Sequence, residues 1–361
     1  MHLKSRITKL GVYQAGKPIE EVQKEYGLKK VIKLASNENP YGCSPTAIAA
    51  GNQFLNELAI YPDSNATLLK SKLASHLNVK ETQFLLGNGS DEIIQLLCRS
   101  ILHEGTNSVM ADITFPQYKH NSLVEGAEVR EIPLIDGYHD LDGMAHVIDE
   151  QTKIVWICNP NNPTGTYVNE SSLRAFLNKV PSTCLVVIDE AYVEYAAALD
   201  FPQSISLLEE FDNVLLLRTF SKGYGLASCR VGYAIGNEKL MGSLNIVRAP
   251  FNVGRLSQAI ATAALDDQAF IQETHIKNRT EMERYYHFCD QKGLAYFPSQ
   301  TNFLLFEVKQ SGEILFEKLL REGIIIRPGE KLGYPNYIRV TIGKKEENDI
   351  VLSTLDKFIT S

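Results

Sequence analysis

Short apolar runs recur between Val31 and Leu265, and segments with helical periodicity separate them. Six of these runs hold almost no polar residue, and they lie at 84–86, 108–110, 154–157, 185–188, 214–217 and 231–235. Strands that are apolar on both faces and alternate with helices are typical of a parallel sheet with helices on both sides. The pattern therefore predicts an α/β fold built on a large, mostly parallel central sheet.

The pattern changes at both ends of this region. Residues 1 to about 30 are polar, with Gly11, Gly16 and Pro18, and predict an N-terminal arm that packs on the compact part of the chain. Beyond about residue 268, helical patterns alternate with apolar runs, which is typical of an α+β unit. The sequence thus predicts three parts: an arm at 1–30, a large domain at 31–267 and a small C-terminal domain at 268–361.

Composition narrows the class of protein. The chain has 361 residues, of which 44% are hydrophobic and 22% charged, as in an ordinary globular enzyme with one large or two modest cores. A net charge of −7, with scattered acidic residues, argues against nucleic-acid binding. An anionic substrate would have to meet a few well-placed arginines. The chain has no secretory signal and no run near the roughly 20 apolar residues of a membrane helix, so we expect a cytoplasmic enzyme without membrane contact.

The cysteines favour the same compartment. Six cysteines stand apart, without a Cys-x-x-Cys pair, at Cys43, Cys98, Cys158, Cys184, Cys229 and Cys289. Most of them lie in apolar runs, which is typical of reduced core residues rather than of metal ligands or redox centres. We therefore predict no metal site.

A glycine-containing turn at 87–92 follows a predicted strand and opens a helical pattern. Glycines at such a turn let backbone N–H groups approach an anion, and the helix N-terminus adds a favourable dipole. The alternative is a plain turn in which Ser90 or Asp91 caps the helix. A dinucleotide-binding loop is not indicated, because the third small position of that motif is missing.

Lys222 lies in the run 219–230, among hydroxyl-bearing and small residues. A lysine that forms an imine must lose its proton, and both desolvation and a nearby cation such as Arg230 lower its pKa. Ser221 and Arg230 offer a hydroxyl and a guanidinium to a phosphate. A solvated surface lysine is the commoner case. The apolar strand before Lys222 and the turn of small residues after it favour the imine-forming role.

Asp189 comes directly after the apolar run 184–188, at the strand end where α/β sheets bind ligands. A carboxylate that keeps a pyridine nitrogen protonated makes the ring a stronger electron sink. The alternative for Asp189 is a helix cap. Tyr192 would reach the same ring from one helical turn away, or else simply pack in the core.

Two further residues suit a planar ring. Asn162 stands in a doubled Asn-Pro turn, whose rigid backbone would hold its amide in a fixed position for a ring hydroxyl. Phe115 would stack on the ring face. Both also have a purely structural interpretation, as a turn residue and as a core residue.

Taken in order, these motifs resemble the fold type I pyridoxal phosphate (PLP) enzymes of the class I and II aminotransferase group, over almost the whole chain. The chain is most similar there to members that act in histidine biosynthesis. The similarity includes further segments at 10–17, 33–42, 61–63 and 338–343.

The resemblance implies a role for each matching residue. Lys222 would hold PLP covalently and move a proton, Asp189 would pair with the pyridinium nitrogen, and Asn162 and Tyr192 would bond the ring oxygen. Phe115 would cover the ring. The positions that match the phosphate site are Gly89, Ser90, Ser221 and Arg230, and Asp91 is a further expected cofactor-binding residue. Tyr61 would reach the phosphate of the neighbouring subunit's cofactor, which implies a homodimer.

For the substrate, the resemblance places Arg327 and Arg339 at the phosphate end, with Tyr13 and Asn302 nearby. Arg327 has the alternative of a structural ion pair. The implied reaction transfers an amino group between L-histidinol phosphate and 2-oxoglutarate, giving imidazole acetol phosphate and L-glutamate. An aromatic or dual-specificity aminotransferase and a PLP-dependent decarboxylase of phosphorylated amino acids stay open. A non-catalytic PLP-fold protein is disfavoured, because Lys222 and Asp189 are both present.

The chain departs from the group's pattern in three places. Gly223 stands where many relatives carry alanine, and Cys229 is unusual before Arg230. Both are small, so the turn should survive. The segment 328–336 is less recognisable, and loops are where substrate selectivity usually varies.

Overall fold

The structure is a computed structural model, and it describes residues 6–11 and 16–359. The described residues form twelve strands. They are β1 (Ile32–Lys33), β2 (Phe84–Asn88), β3 (Asn107–Ala111), β4 (Glu128–Ile132), β5 (Thr152–Cys158), β6 (Leu185–Asp189), β7 (Val214–Thr219), β8 (Val231–Gly236), β9 (Phe303–Glu307), β10 (Ile324–Ile325), β11 (Arg327–Pro328) and β12 (Tyr337–Thr341).

The same residues form thirteen α-helices. They are α1 (Ile19–Tyr26), α2 (Pro45–Phe54), α3 (Thr67–Leu77), α4 (Ser90–Ile101), α5 (Gln117–Glu125), α6 (Leu141–His146), α7 (Glu170–Leu177), α8 (Ser204–Glu210), α9 (Glu238–Val247), α10 (Arg255–Ala264), α11 (Gln268–Lys292), α12 (Gly312–Arg321) and α13 (Lys345–Phe358). Short 3-10 turns lie at Ile7–Lys9, Leu55–Glu57, Glu81–Gln83, Val193–Tyr195, Ala227–Cys229 and Gly329–Leu332.

A seven-stranded sheet forms the centre of the molecule, with the strand order β2-β8-β7-β6-β5-β3-β4. Strand β8 is antiparallel to both of its neighbours, and every other neighbouring pair is parallel. Along β5, Val155 and Ile157 pack in one hydrophobic cluster, and Ile154 and Trp156 pack in another. Alternate residues therefore bury both faces of the sheet, which confirms the predicted α/β fold with its mostly parallel, two-sided sheet.

Strand β4 was not predicted. It lies at the edge of the sheet, and Glu128, Arg130 and Glu131 interrupt its apolar pattern. Only Val129 and Ile132 pack against the core, and both do so partly. An edge strand with charged side chains is a common way to prevent pairing with another chain, and it carries a weak hydrophobic signal.

The C-terminal part is built on a three-stranded antiparallel sheet in the order β11-β12-β9. Its core includes Leu304, Phe306 and Val340, and the long helix α11 covers it with Tyr285. Strand β1 pairs in parallel with β10, so Ile32 packs in this core although it precedes the central sheet in sequence. The division into domains at 30/31 and 267/268 stays a prediction.

Helix α1 gives the N-terminal segment its anchor. Val22 is fully buried against Leu320 and Ile325 of the C-terminal part. All six cysteines are free thiols, of which Cys43 and Cys229 are half-buried and the other four are buried. None of the helices in the described ranges has the length and apolar character needed to span a membrane.

Candidate active site

The predicted chemical residues meet at one edge of the central sheet. Strands β5, β6 and β7 are parallel and end at this edge, so Asp189 and the turn with Lys222 lie side by side. Because β8 is antiparallel, it begins where its neighbours end, and this brings Arg230 to the same edge. Asn88 pairs with Val231, so the turn at Gly89 faces Arg230. The topology therefore brings together residues that are far apart in sequence.

A cavity of about 320 Å³ opens at this edge. The predicted site residues that line it are Ser90, Asp91, Phe115, Asn162, Asp189, Tyr192, Ser221, Lys222, Arg230, Arg327 and Arg339. The other lining residues are Gly16, Ala35, Ser36, Asn37, Cys158, Ala191 and Thr219. One end of the cavity thus belongs to the central sheet, and the two arginines come from the C-terminal sheet.

Lys222 has a lowered basicity. Its Nζ donates to the carbonyl oxygen of Ser36 at 3.0 Å. Burial lowers the pKa of Lys222 to about 8, and the next cause is the positive charge of Arg339. We expected Arg230 to be the cation that acts on this lysine. Arg230 contributes, but less than Arg339 and less than the opposing carboxylates of Glu38 and Asp91.

Asp189 is a buried carboxyl group held by two donors. Its Oδ2 accepts from the hydroxyl of Tyr118 at 2.6 Å, and its Oδ1 accepts from the backbone N–H of Ala191 at 3.1 Å. Burial raises the pKa of Asp189 to about 7, although both hydrogen bonds act in the opposite direction. Asp189 does not cap an α-helix, since a turn and the 3-10 segment Val193–Tyr195 follow it. The helical turn that we expected between Asp189 and Tyr192 is therefore wrong.

Tyr118 was missed by the sequence analysis. It is fully buried, and its ring stacks on Trp156 at 4.7 Å between centroids. It lies three residues beyond Phe115, whose ring meets it edge-on at 5.5 Å. One signal in the sequence could have indicated Tyr118: it is the second residue of helix α5 and closely follows Phe115, which was predicted to stack on a ring. Tyr118 thus orients the carboxylate of Asp189 through its hydroxyl.

The phosphate-site candidates form a compact group. Gly89 adopts a left-handed backbone with φ 75°, and its N–H donates to the carbonyl of Arg230 at 3.0 Å. With φ 75° and ψ 168°, Gly89 has a backbone conformation that favours glycine, and a Cβ there would also lie 2.3 Å from the guanidinium of Arg230. Helix α4 begins at Ser90, and neither Ser90 nor Asp91 caps it with a side chain. The plain capped turn is therefore wrong.

Arg230 connects this turn to the lysine segment. Its Nη1 donates to Ser221 Oγ at 3.3 Å, and its Nη2 pairs with Asp91 at 3.2 Å. A guanidinium, a hydroxyl and the N-terminus of a twelve-residue helix thus converge on one place. This is an anion-binding arrangement.

The two arginines of the C-terminal sheet are direct cross-strand neighbours, because Arg327 pairs with Arg339 between β11 and β12. Arg339 is nearly buried, and its Nη1 donates to Asn162 Oδ1 at 2.6 Å. Its Nη2 donates to the carbonyl of Ala35 at 3.0 Å, and the guanidinium lies 5.0 Å from the ring centroid of Phe303. Arg339 is therefore held in one orientation, while Arg327 lines the same wall.

Three of the predicted residues do not line this cavity. Tyr61 is 76% exposed on the surface, where it stacks on Phe251 at 4.7 Å. Asn302 is fully buried, and its Nδ2 donates to the carbonyl of Asn37 at 3.0 Å. Gly89 lies just outside the cavity, behind Arg230. Tyr13 lies outside the described residues.

The departures noted in the sequence have a local explanation. A Cβ at Gly223 would lie 2.6 Å from the Cβ of Glu194, so this turn packs too closely for a side chain. Cys229 ends the 3-10 turn before Arg230 and packs partly on the core. In the segment 328–336, Glu330 accepts from the N–H of Gly312 at 2.8 Å, which ties the segment to helix α12.

The class of protein follows from a match along the chain. Residues 29–355 match the family model described as aminotransferase class I and II, and the chain belongs to that family.

Individual relatives with high sequence identity define the protein more narrowly than the family model does. The chain is 56% identical over 359 residues to a histidinol-phosphate aminotransferase of Geobacillus thermodenitrificans (strain NG80-2), covering 99% of this chain and 98% of the relative. The one from Geobacillus sp. (strain WCH70) is 55% identical, with 99% and 98% covered. The crystal structure of histidinol-phosphate aminotransferase from Sinorhizobium meliloti in complex with pyridoxal-5'-phosphate has a TM-score of 0.90 and 28% identity, covering 99% of this chain and 97% of that one. Within its family, the chain belongs among the histidinol-phosphate aminotransferases.

Proposed function

We propose that this chain binds PLP and transfers the amino group between L-histidinol phosphate and 2-oxoglutarate, giving imidazole acetol phosphate and L-glutamate in L-histidine biosynthesis. One observation carries the proposal: a partly buried lysine, a buried carboxyl, an anion-binding group and a pair of arginines line a single cavity. The names of the relatives support the choice of substrate.

The side chains of the cavity fit PLP. Asp189 is a buried carboxyl whose pKa is raised to about 7, and a protonated ring nitrogen beside it would stabilise its ionised form. Ser221 and Arg230 suit the phosphate, together with the backbone N–H groups at the start of helix α4. Phe115 offers its ring face. PLP, when bound, delocalises the electron pair that remains when a bond to the substrate's α-carbon breaks.

Lys222 supplies the proton transfer. With a pKa near 8, a useful fraction of its Nζ is neutral at physiological pH, and a neutral amine can take the proton from the substrate's α-carbon and return it later. Tyr192 and Asn162 line the cavity and would hold the ring hydroxyl oxygen. Asp189, once ionised, keeps the proton on the ring nitrogen.

The arginine pair suits two kinds of anion. A guanidinium binds the phosphate of L-histidinol phosphate and the carboxylate of L-glutamate with the same fork of donors. Arg339 is oriented by Asn162 and Ala35, and Arg327 stands opposite it in the antiparallel sheet. We infer that Arg339 orients both substrates in turn, and that Arg327 adds a second charge at the phosphate.

A stopped-flow half-reaction tests this proposal. The purified PLP form is mixed with L-histidinol phosphate or, separately, with L-phenylalanine, and the absorbance of the bound cofactor is followed. We expect rapid loss with L-histidinol phosphate. The Lys222→Ala variant should be slower by about 100-fold or more, since a positioned general base typically contributes that much.

Each other outcome has a defined meaning. Comparable rates with both amines would indicate a dual enzyme, and loss with L-phenylalanine alone would move the function to aromatic amino acids. No loss with either amine would reopen the decarboxylase alternative. The surface variant Lys179→Ala is a control that should react at the wild-type rate, because Lys179 is exposed, pairs with Asp142 at 2.7 Å and does not line this cavity.

We further propose that the chain acts as a homodimer in the cytoplasm. A surface groove around residues 54–62 and 254–256 exposes Leu58 by 70% and Ile60 by 56%, beside Tyr61. Exposed apolar surface of this kind is typical of an interface. Tyr61 would then reach the cofactor phosphate in the partner subunit. The six free thiols support a reducing compartment.

A further inference from the structure

Segment 35–37 contacts the proposed catalytic machinery at consecutive residues. The carbonyl of Ala35 accepts from Arg339, and the carbonyl of Ser36 accepts from Nζ of Lys222, both at 3.0 Å. The side chain of the third residue, Asn37, donates its Nδ2–H to the hydroxyl oxygen of Tyr192 at 2.9 Å. This segment therefore touches the arginine, the lysine and the tyrosine of the site.

The hydroxyl group of Thr341 bonds the oxygen end of the Asn37 amide, and the nitrogen end bonds Tyr192. The backbone N–H of Asn37 donates to Thr341 Oγ1 at 3.0 Å, so that oxygen acts as an acceptor there. The same hydroxyl donates its proton to Asn37 Oδ1 at 3.1 Å. With Oδ1 on the Thr341 side, Nδ2 has to face Tyr192. The Tyr192 oxygen accepts this hydrogen bond, and its own proton is left to point elsewhere.

The backbone holds Asn37 firmly in this position. Its φ of 55° lies in the left-handed region, which asparagine tolerates better than most residues. Only 2% of Asn37 is exposed, and Asn302 donates to its carbonyl at 3.0 Å. The N–H of Thr341 also donates to the carbonyl of Leu34 at 2.9 Å. Strand β12, which carries Arg339, thus fixes the segment that orients Tyr192.

We propose that Asn37 is a positioning residue that turns the hydroxyl proton of Tyr192 into the cavity, so that Tyr192 donates a hydrogen bond to the ring hydroxyl oxygen of PLP. The inference rests on the proposed function, because that oxygen belongs to the proposed cofactor. A donated hydrogen bond stabilises negative charge on the ring oxygen and weakens its hold on the proton at the Lys222 nitrogen. Asn37 therefore lowers the pH at which that nitrogen loses its proton.

The measurement is the pH midpoint of the absorbance change of the bound cofactor, which needs no turnover. In Asn37→Asp, a carboxylate replaces the amide donor and accepts the Tyr192 proton, so Tyr192 no longer donates into the cavity. Asp also tolerates the left-handed backbone. We expect the midpoint to rise by about one unit, the size of one hydrogen bond to a charged group. Tyr192→Phe should raise it by a similar amount.

A double-mutant cycle separates the hydrogen bond from the added charge. If Asn37 acts through Tyr192, then Asn37→Asp should shift the midpoint much less in the Tyr192→Phe background than in the wild type. An equal shift in both backgrounds would mean that the carboxylate acts through space, and would overturn the proposal.

Asn37→Gly is the second variant, because it keeps the left-handed backbone without adding charge, and it should also raise the midpoint. Asn78→Gly is its matched control: Asn78 has φ 54° at the exposed end of helix α3 and should leave the midpoint unchanged. A midpoint in Asn37→Gly within about 0.2 units of wild type, measured to about 0.1 units, would overturn the proposal. So would loss of cofactor binding in both Asn37 variants but not in Tyr192→Phe. If wild-type protein showed no cofactor absorbance at all, the proposed function itself would fail.

Discussion

Burial moves two functional groups of this site toward neutrality from opposite directions. It lowers the pKa of Lys222 to about 8 and raises the pKa of Asp189 to about 7. Each shift disfavours the charged form of the group. Without a cofactor, burial makes the charged form of each group costly in free energy. A ligand with a ring cation would pair with the Asp189 carboxylate, and its carbonyl group would react with the neutral amine of Lys222. Strongly shifted groups in a cleft are a physical signature of a functional site.

Asp189 gives a prediction about stability and pH in the cofactor-free protein. Its folded pKa of about 7 exceeds the ordinary value of 3.8, so between these values the unfolded chain loses a proton that the folded chain keeps. Stability therefore falls as the pH rises from about 4 to 7. Asparagine cannot titrate, so the Asp189→Asn variant lacks this loss. As the pH rises from about 4 to 7, we expect the free energy of unfolding of Asp189→Asn to increase relative to that of the wild type by up to about 4 kcal/mol.

Urea unfolding of both cofactor-free proteins at several pH values checks this prediction. The wild-type curve of unfolding free energy should fall more steeply than the variant's, and both should run parallel above about pH 8, where Asp189 is ionised. Glu194, whose pKa burial also raises to about 7, is present in both proteins and cancels in the difference. Parallel curves through the whole range would show that Asp189 titrates normally.

At the scale of elements, the sequence predicted what continuous apolar runs encode. All six predicted strands of the central sheet are present, because residues buried on both faces leave an unbroken hydrophobic signal. The ends of β6 and β7 placed Asp189 and Lys222 correctly at one edge. Strand β4 was not predicted, because the charged residues of this edge strand interrupt its hydrophobic pattern.

Other parts of the site depend on tertiary contacts that no local pattern records. Ser36 acts through its backbone carbonyl, which any residue type would supply, and Asn37 acts through a left-handed backbone. The positive charge of Arg339 lowers the pKa of Lys222, although the two residues are more than 100 positions apart in the chain. This effect depends on the C-terminal sheet, which carries Arg339 to the cavity. Tyr118 was not singled out in the sequence, and its hydroxyl gains its role by bonding Asp189, which lies 71 residues away at the end of β6.

The turn after Lys222 offers a prediction at the same scale. A Cβ at Gly223 would lie 2.6 Å from Glu194 Cβ, and the contact is with the base of a side chain, which moves little. We expect Gly223→Ala to lower the free energy of unfolding by about 1–3 kcal/mol, as overpacking usually does.

Urea unfolding of the cofactor-free protein measures this effect. Gly242→Ala is the matched control, because Gly242 lies inside helix α9, where an added Cβ would have nothing within 4 Å. There alanine should be neutral or should stabilise by up to about 1 kcal/mol through helix propensity. Equal effects at both positions would show that the turn adjusts to the extra methyl group without cost.

At the scale of the whole molecule, the cavity lies where two sheets meet. The central sheet supplies the lysine and the carboxyl, and the antiparallel C-terminal sheet supplies both arginines. Any movement between the two sheets would change the distance from Lys222 and Asp189 to Arg327 and Arg339. Tyr61 stands apart from this arrangement, on an exposed apolar groove.

If Tyr61 acts in the partner's site, two inactive variants should restore each other. Lys222→Ala and Tyr61→Ala are produced with different tags, and the mixed dimer is purified and assayed. One of its two sites then combines an intact Lys222 with an intact Tyr61 from the other subunit, so we expect about half of the wild-type rate. A mixed dimer of Lys222→Ala and Asp189→Asn is the control: both residues line the cavity of one subunit, and no intact site can form. A mixed dimer of the first pair that is as inactive as this control would place Tyr61 in its own subunit's site. A Tyr61→Ala homodimer that keeps the wild-type rate would place Tyr61 outside catalysis.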